Sequence, residues 1–213
     1  MGYDFSAQRQ QLMTQLQHSG IHDPRVLHAL TTVPREQFVD TSLHTMAYAN
    51  QALPLLLGQT ISQPLMVAVM TQALHLTGNE RVLEVGTGSG YQAAILSLLA
   101  AQVYSIERHV QLSLQAAEHL KSLGYLNVEL LVGDGSLGWP EHAPYDRIIV
   151  TAAAPYAPAQ LLAQLHFGGS LVIPIGDQTL QDLQIIQKVE GGTQTYSLGR
   201  CVFVPLVGED AWQ

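Results

Sequence analysis

The stretch Arg81–Gly90, Arg-Val-Leu-Glu-Val-Gly-Thr-Gly-Ser-Gly, limits what this chain can fold into more than any other segment. Val82, Leu83 and Val85 read as a short buried strand, glycines follow at 86, 88 and 90, and a helical pattern runs from Tyr91 to Ala100. Strand, glycine loop and helix in that order open an α/β domain of the kind that cradles a nucleotide-type cofactor. Glycine suits such a loop for two reasons. A tight turn needs positive φ, and a Cβ would hold a ligand away from the backbone. The same residues also make a ligand-free turn, so the loop by itself fixes the element order and not its use.

The glycine spacing narrows the cofactor. A dinucleotide fingerprint puts its third glycine three residues after the second, where the helix N-terminus receives a pyrophosphate. Here the glycines alternate as Gly86-x-Gly88-x-Gly90. That spacing suits S-adenosylmethionine, which has no phosphate and lays an amino-acid moiety against the loop; S-adenosyl-L-homocysteine would be its product. Gly86, Thr87, Gly88, Ser89 and Gly90 are the expected contact residues. Glu84 stands between Leu83 and Val85 and reads as buried, and a buried carboxylate needs partners. The loop N–H groups are the expected partners, in a supporting role as readily as a direct one.

Two later strand ends point the same way. Val103–Ile106 reads as the second strand, and Glu107 ends it about 20 residues after Gly86, the offset of a ribose-binding carboxylate. Its oxygens can accept from both ribose hydroxyls; an exposed strand-end Glu is the alternative. The third strand, Val128–Val132, ends in Gly133-Asp134-Gly135. Asp134 reads either as a turn residue or as an acceptor for an adenine amino group. Ligands in open α/β sheets bind outside the carboxyl ends of the strands.

The remaining pattern completes an expected topology. Strands are predicted over 81–86, 102–107, 127–132, 146–151 and 170–175, and helices over 90–100, 109–122 and 158–166. This alternation predicts a doubly wound, mostly parallel seven-stranded sheet with right-handed crossovers. Upstream, helices are predicted over 6–18 and from Pro24 with Asp23 as cap. Ser62 or Gln63 caps a further helix through Leu76. Downstream, alternation at Leu183, Ile185, Gln187 and Val189 and an apolar run Val202–Val207 predict an antiparallel edge. The expectation is one domain over 1–213, a helical, substrate-side extension (1–78) on a cofactor-binding core (79–213).

Composition excludes several classes. The net charge of −8 and only nine Lys and Arg argue against a nucleic-acid surface, which needs clustered cations. The polar, glutamine-rich start lacks a signal-peptide core, and no 18-residue apolar run suggests a membrane span. A cytoplasmic protein without a membrane partner is the expectation, as a monomer or weak homo-oligomer. Cys201 is the only cysteine, which excludes an internal disulfide, and its apolar surroundings suggest a buried thiol. The nine histidines are scattered without metal-ligand spacing, so no metal is expected.

Gly58-Gln59-Thr60-Ile61-Ser62-Gln63-Pro64 adds a resemblance. It is similar to the signature of protein-L-isoaspartate O-methyltransferases, within the class I S-adenosylmethionine-dependent methyltransferases. Val33–Val39, Glu84–Gly90, Gly133–Gly135, Pro144–Asp146, Thr151–Ala153 and Phe203–Leu206 follow that family's pattern in order. The resemblance implies transfer of a methyl group to the free α-carboxylate of L-isoaspartyl residues in damaged proteins. The ester then closes to a succinimide that can reopen as aspartate. It implies that Ser62 belongs to the active site, with Thr60 beside the methyl donor and Ile61 beside the substrate. Val204, Pro205 and Leu206 either line the substrate groove or form a plain edge strand. One departure stands out: Leu55-Leu56-Leu57 replaces the glycine-rich polar segment the family places before Gln59.

A carboxylate acceptor is ionised at neutral pH, with a pKa of about 3–4, so the chemistry needs no strong general base. Ser62 can hydrogen-bond the acceptor near a helix N-terminus, or simply cap that helix. Two other functions stay open on sequence: a sister methyltransferase with a different carboxylate or small-molecule acceptor, and a cofactor-binding regulator without turnover.

Overall fold

The computed structural model describes residues 4–213, so the first three residues of the polar N-terminal stretch lie outside the described residues. The chain opens with α1 (Ser6–His18) and α2 (Pro24–Thr32). Asp23 caps α2 by accepting from the Arg25 N–H at 2.9 Å, and Pro24 stands in its first turn, as its spacing predicts. Short 3-10 turns then lead to a minimal hairpin of β1 (Leu53–Pro54) and β2 (Thr60–Ile61), followed by α3 (Pro64–Ala73). That helix stops short of the expected Leu76, and His75, at φ 49°, makes the turn out of it.

The rest alternates. β3 (Arg81–Val85), α4 (Tyr91–Ser97), β4 (Gln102–Glu107), α5 (Val110–Ser122), β5 (Val128–Val132), β6 (Tyr145–Val150) and α6 (Ala159–Ala163) come in turn. β7 (Leu165–Gly176), β8 (Gln181–Val189) and β9 (Gly192–Cys201) finish the sheet, whose strand order is β5-β4-β3-β6-β7-β8-β9. The first five run parallel, and β8 and β9 add antiparallel at one edge. This is the doubly wound sheet with an antiparallel edge that the sequence pattern predicts.

Neighbouring residues on a strand point to opposite faces, and the core divides accordingly. Val82, Val103, Ile149 and Val172 join α1, α2, α3 and α4 on one side, through Leu16, Leu30, Met70 and Ile95. Leu83, Ile106, Ile148 and Leu171 pack on the other side with Leu161 of α6 and Leu206. Burial of the central strands on both faces accounts for the unbroken burial of residues 82–85 in β3, Glu84 included. The chain leaves β3 for β4 on one side and reaches β6 on the other, so a crevice opens at the carboxyl ends of β3 and β6.

Two boundaries differ from the sequence reading. The last strand is not 202–207 but β9, whose Thr, Gln and Ser residues are exposed on both faces. An edge strand with no buried face carries no alternation, so the pattern misses it. The apolar run 202–207 instead crosses the strand ends: Ala153 N–H donates to Val204 O at 2.8 Å, and Leu206 N–H to Ala153 O at 2.7 Å. β7 starts five residues earlier than expected, at Leu165, through an irregular register between Tyr145 and Arg147, which shortens α6.

Candidate active site

The glycine loop sits where β3 ends. Gly86 has φ 98°, and a Cβ there would collide with Thr151 Oγ1. Thr151 donates to Gly86 O at 2.7 Å and Val85 O at 3.1 Å, clamping the first turn of the loop. Gly90 has φ 88° and lets α5 approach, with Ala116 Cβ only 3.2 Å from where its own Cβ would lie. Gly90 therefore acts in helix packing and does not line the cleft.

Two contiguous recesses flank the loop. The larger, open at its mouth, is lined by Gly86, Gly88, Glu107, Gly135, Thr151 and the segment 204–207 among others. The smaller is lined by Ile61, Ser62, Thr87, Ser89, Tyr91 and Gln92 among others. Thr60, Gly86, Gly88 and Thr151 border both, so the two form one cleft across the carboxyl ends of β3 and β6.

Glu107 ends β4 inside this cleft. One carboxylate oxygen accepts from Gly88 N–H and the other from His109 N–H, each at 2.9 Å. A carboxylate has about four acceptor positions, so two remain for a ligand. Asp134 stands elsewhere. Its Oδ1 accepts from the Ser136 N–H and hydroxyl, and its Oδ2 from Glu209 N–H at 2.7 Å. Burial would push this carboxyl up, but those hydrogen bonds outweigh it and hold it below its ordinary value. Asp134 thus ties down the C-terminal tail and does not line the cleft, whereas Gly135 does.

Glu84 lies beneath the loop, fully buried. Its partner is not a loop N–H. Oε2 shares a short hydrogen bond with the Ser105 hydroxyl, which in turn bonds the Thr87 hydroxyl at 2.6 Å. Oε1 has no partner among the described residues. Burial pushes the carboxyl up to about 8, the Ser105 hydrogen bond opposes this, and the nearby Glu107 adds to it. A neutral carboxyl therefore sits under the loop at neutral pH, and Thr87 is pinned inward through Ser105.

The opposite wall comes from the hairpin and the start of α3. Gln63 is the N-cap of that helix and makes no side-chain cap bond. The Ser62 hydroxyl has no hydrogen-bond partner among the described residues, so it does not cap the helix. The helix N-terminus itself is less open than the sequence suggests. Pro64 has no N–H, and Leu65 N–H already donates to Asn50 Oδ1 at 3.0 Å.

The position of Ser62 depends on a residue whose role the sequence does not reveal. Arg35 is completely buried. Its Nη2 donates to Ser62 O at 2.7 Å and its Nε to Ala47 O at 2.8 Å. The guanidinium carbon stands 4.6 Å from the Tyr91 ring centre. Tyr91 also meets Phe38 edge-on, with ring centres 5.6 Å apart. One cation thus links the first turn of α4 to the backbone of Ser62. Thr151 is the other participant that sequence reasoning does not single out; both stand in segments that follow the family pattern, Val33–Val39 and Thr151–Ala153, with no local signal of their own role.

Leu57, at the hairpin tip, has φ 59° and ψ 29°. A left-handed conformation costs a non-glycine residue about 1–2 kcal/mol. Leu56 and Leu57 are also half exposed, at 50% and 51%.

A doubly wound sheet with a glycine loop after its central strand, a carboxylate on the next strand end and a cleft between them defines a class I S-adenosylmethionine-dependent methyltransferase. Comparison with known proteins takes this further. The family model for protein-L-isoaspartate(D-aspartate) O-methyltransferase matches residues 7–211. A protein-L-isoaspartate O-methyltransferase 2 from Pelobacter propionicus is 53% identical over 200 residues, covering 93% of this chain and 89% of its own. The enzyme from Dictyoglomus thermophilum is 49% identical over 210 residues, covering 99% and 96%. A solved protein-L-isoaspartate O-methyltransferase superposes with a TM-score of 0.84 at 28% identity, covering 95% of this chain and 67% of that one. A Plasmodium falciparum chain assigned to the same enzyme type and crystallised with S-adenosyl-L-homocysteine shares the fold, with a TM-score of 0.82 at 24% identity, covering 94% and 99%. The chain belongs to the protein-L-isoaspartate(D-aspartate) O-methyltransferase family. It is a protein repair methyltransferase that uses S-adenosylmethionine and acts on isoaspartyl residues.

Proposed function

We propose that the methyl donor lies along Gly86–Ser89 and that the isoaspartyl carboxylate enters from the side of Thr60–Ser62. The observation that carries this is the continuity of the cleft: Thr60, Gly86, Gly88 and Thr151 border both of its recesses. S-adenosylmethionine, when bound, supplies a methyl group on a positively charged sulfur. The residues fit it. Glu107 keeps free acceptor positions for ribose hydroxyls, and Ile106, Leu206 and Val207 offer apolar cover for a base. Thr87, Gly88 and Ser89 bring backbone within reach of an amino-acid moiety, as does Gly86, where a side chain would not fit. Asp134 positions the tail that carries the cleft wall, rather than touching the base.

The acceptor carboxylate arrives ionised, so the chain need not remove a proton. Ser62, its hydroxyl free, donates to one carboxylate oxygen and aims the other at the methyl group. Arg35 holds Ser62 by its carbonyl, and Thr60 borders the reacting zone. Val204 and Pro205 close the far side and exclude water, which would otherwise solvate the attacking oxygen. Positioning of this kind can lower a barrier by about 7–11 kcal/mol, enough to carry the reaction without acid–base help.

A continuous buried cluster running from Leu12 to Cys201 supports reading the whole chain as one unit. Among the described residues no helix is long and apolar enough to cross a membrane. We read the protein as cytoplasmic, a monomer or weak homo-oligomer without nucleic-acid or membrane partners, which its charge of −8 supports.

Incubation with methyl-labelled cofactor and a pair of peptides, identical except for isoaspartyl against aspartyl at one site, tests the acceptor. Label is expected on the isoaspartyl member alone. Label on neither, with a small carboxylic acid methylated instead, would establish the sister-enzyme reading.

A further inference from the structure

We propose that Leu56 and Leu57 form a specificity subsite for an apolar side chain flanking the isoaspartyl residue, so that this protein favours damage in hydrophobic sequence. The inference rests on the donor and acceptor placement given above and deepens it. Both leucines are half exposed. Leu57 keeps an apolar side chain outward in a backbone conformation that bulky residues avoid. Such an outlier, at the rim of a functional cleft, points to a role for the side chain.

The loop is continuous with the active site. Leu55 N–H donates to Gln59 O at 2.8 Å and Gln59 N–H to Leu56 O at 3.1 Å, which closes the turn that presents the leucines just before Thr60. Gln59 and Thr60 line the cleft. Leu55 Cδ1 lies 3.7 Å from where a Cβ on Gly88 would stand, so the base of the loop leans on the donor loop. Val204 and Pro205 line the same recess as Gln59 and Thr60, and Val202, 70% exposed, lies just before them in the chain. A peptide whose isoaspartyl carboxylate reaches Ser62 brings its flanking residues beside this loop, which adjoins Gln59 and Thr60 in the chain. The occupant is thus the substrate chain itself, and burying the rest of two leucyl side chains favours an apolar neighbour over a polar one.

Methyl transfer to isoaspartyl hexapeptides measures this directly. The residue before and the residue after the isoaspartyl site are varied in turn as Leu, Phe, Ser and Gly. The best apolar member is expected to exceed its Ser counterpart by about tenfold in kcat/KM, a step of about 1.4 kcal/mol. In a Leu56→Ser/Leu57→Asn double variant that ratio is expected to fall to about one; asparagine accepts the left-handed conformation. Leu57→Gly alone, which fits the same φ, should lower the ratio part-way and serves if the double variant does not fold. A flat series in the wild type, or a preference that survives both variants, overturns the subsite while leaving the acceptor reading intact. Absence of transfer to every isoaspartyl peptide overturns both readings. A wild-type dimer in sedimentation velocity that the double variant dissociates would assign the leucines to a second copy and overturn the proposal.

Discussion

The glycine loop Gly86–Gly90, the proposed donor side, rests on a buried carboxyl, two hydroxyls and the end of a central strand, whereas the hairpin Leu53–Ile61, the proposed acceptor side, has two residues per strand and two half-exposed leucines. The donor side must present the same geometry to one ligand at every turnover, and a preorganised, buried frame delivers that. The acceptor side must admit many protein chains, and it concentrates its order at one point, the carbonyl of Ser62 held by Arg35. On the proposed placement, the buried, hydrogen-bonded frame faces the constant ligand and the half-exposed hairpin faces the variable one.

That contrast can be broken most severely at Gly86. Gly86→Val puts a branched side chain where φ is 98° and where Thr151 Oγ1 already stands. Affinity for S-adenosyl-L-homocysteine by calorimetry is expected to fall by about 100-fold or more, equivalent to about 2.7 kcal/mol. Unchanged affinity would mean that the loop does not frame the donor.

A smaller effect is expected on the other wall. Arg35→Lys keeps the charge but loses the planar fork that grips Ser62 O and Ala47 O together. About a tenfold loss of kcat/KM for an isoaspartyl peptide is expected, with homocysteine-product affinity unchanged. Equal losses in both would show that Arg35 serves the donor side as well.

The last effect is on stability alone, leaves affinity and turnover aside, and is read through pH. Glu84 keeps its proton in the folded protein up to about 8, whereas the unfolded chain releases it near 4.5. Between these values the folded state binds the extra proton, so stability falls as pH rises, by at most about 1.4 kcal/mol per unit, and levels off above the folded value. Glu84→Gln should remove that slope. Denaturant titrations of both proteins between pH 5 and 8 are expected to diverge, and parallel curves would mean that Glu84 is ionised under the loop.

The cleft at the end of β3 is legible in the sequence because backbone chemistry writes itself there as glycine and as a strand-end carboxylate, and Gly86, Gly88 and Glu107 do line it. Gly86 and Glu107 announce themselves by spacing alone. Asp134 carried the same signature, yet its oxygens hold Ser136 and the tail, because a strand-end Asp serves a loop and a ligand with identical chemistry. The partner of Glu84 was hidden for a different reason: Ser105 is one residue in a strand, and nothing in the order of residues says that two neighbouring strands bring the two side chains together. Arg35 reaches Ser62 across 27 positions, beyond any local pattern. The edge strand β9 was illegible because both its faces are wet. Long-range side-chain pairing and fully solvated strands leave no periodicity to read.

A crystal structure with S-adenosyl-L-homocysteine and an isoaspartyl peptide bound together tests the central claim most directly. The thioether sulfur is expected between Gly86 and Thr60, and the isoaspartyl carboxylate within hydrogen-bond distance of the Ser62 hydroxyl. A nucleoside bound away from the Gly86–Gly90 bend, or a carboxylate held with Ser62 facing elsewhere, would contradict it.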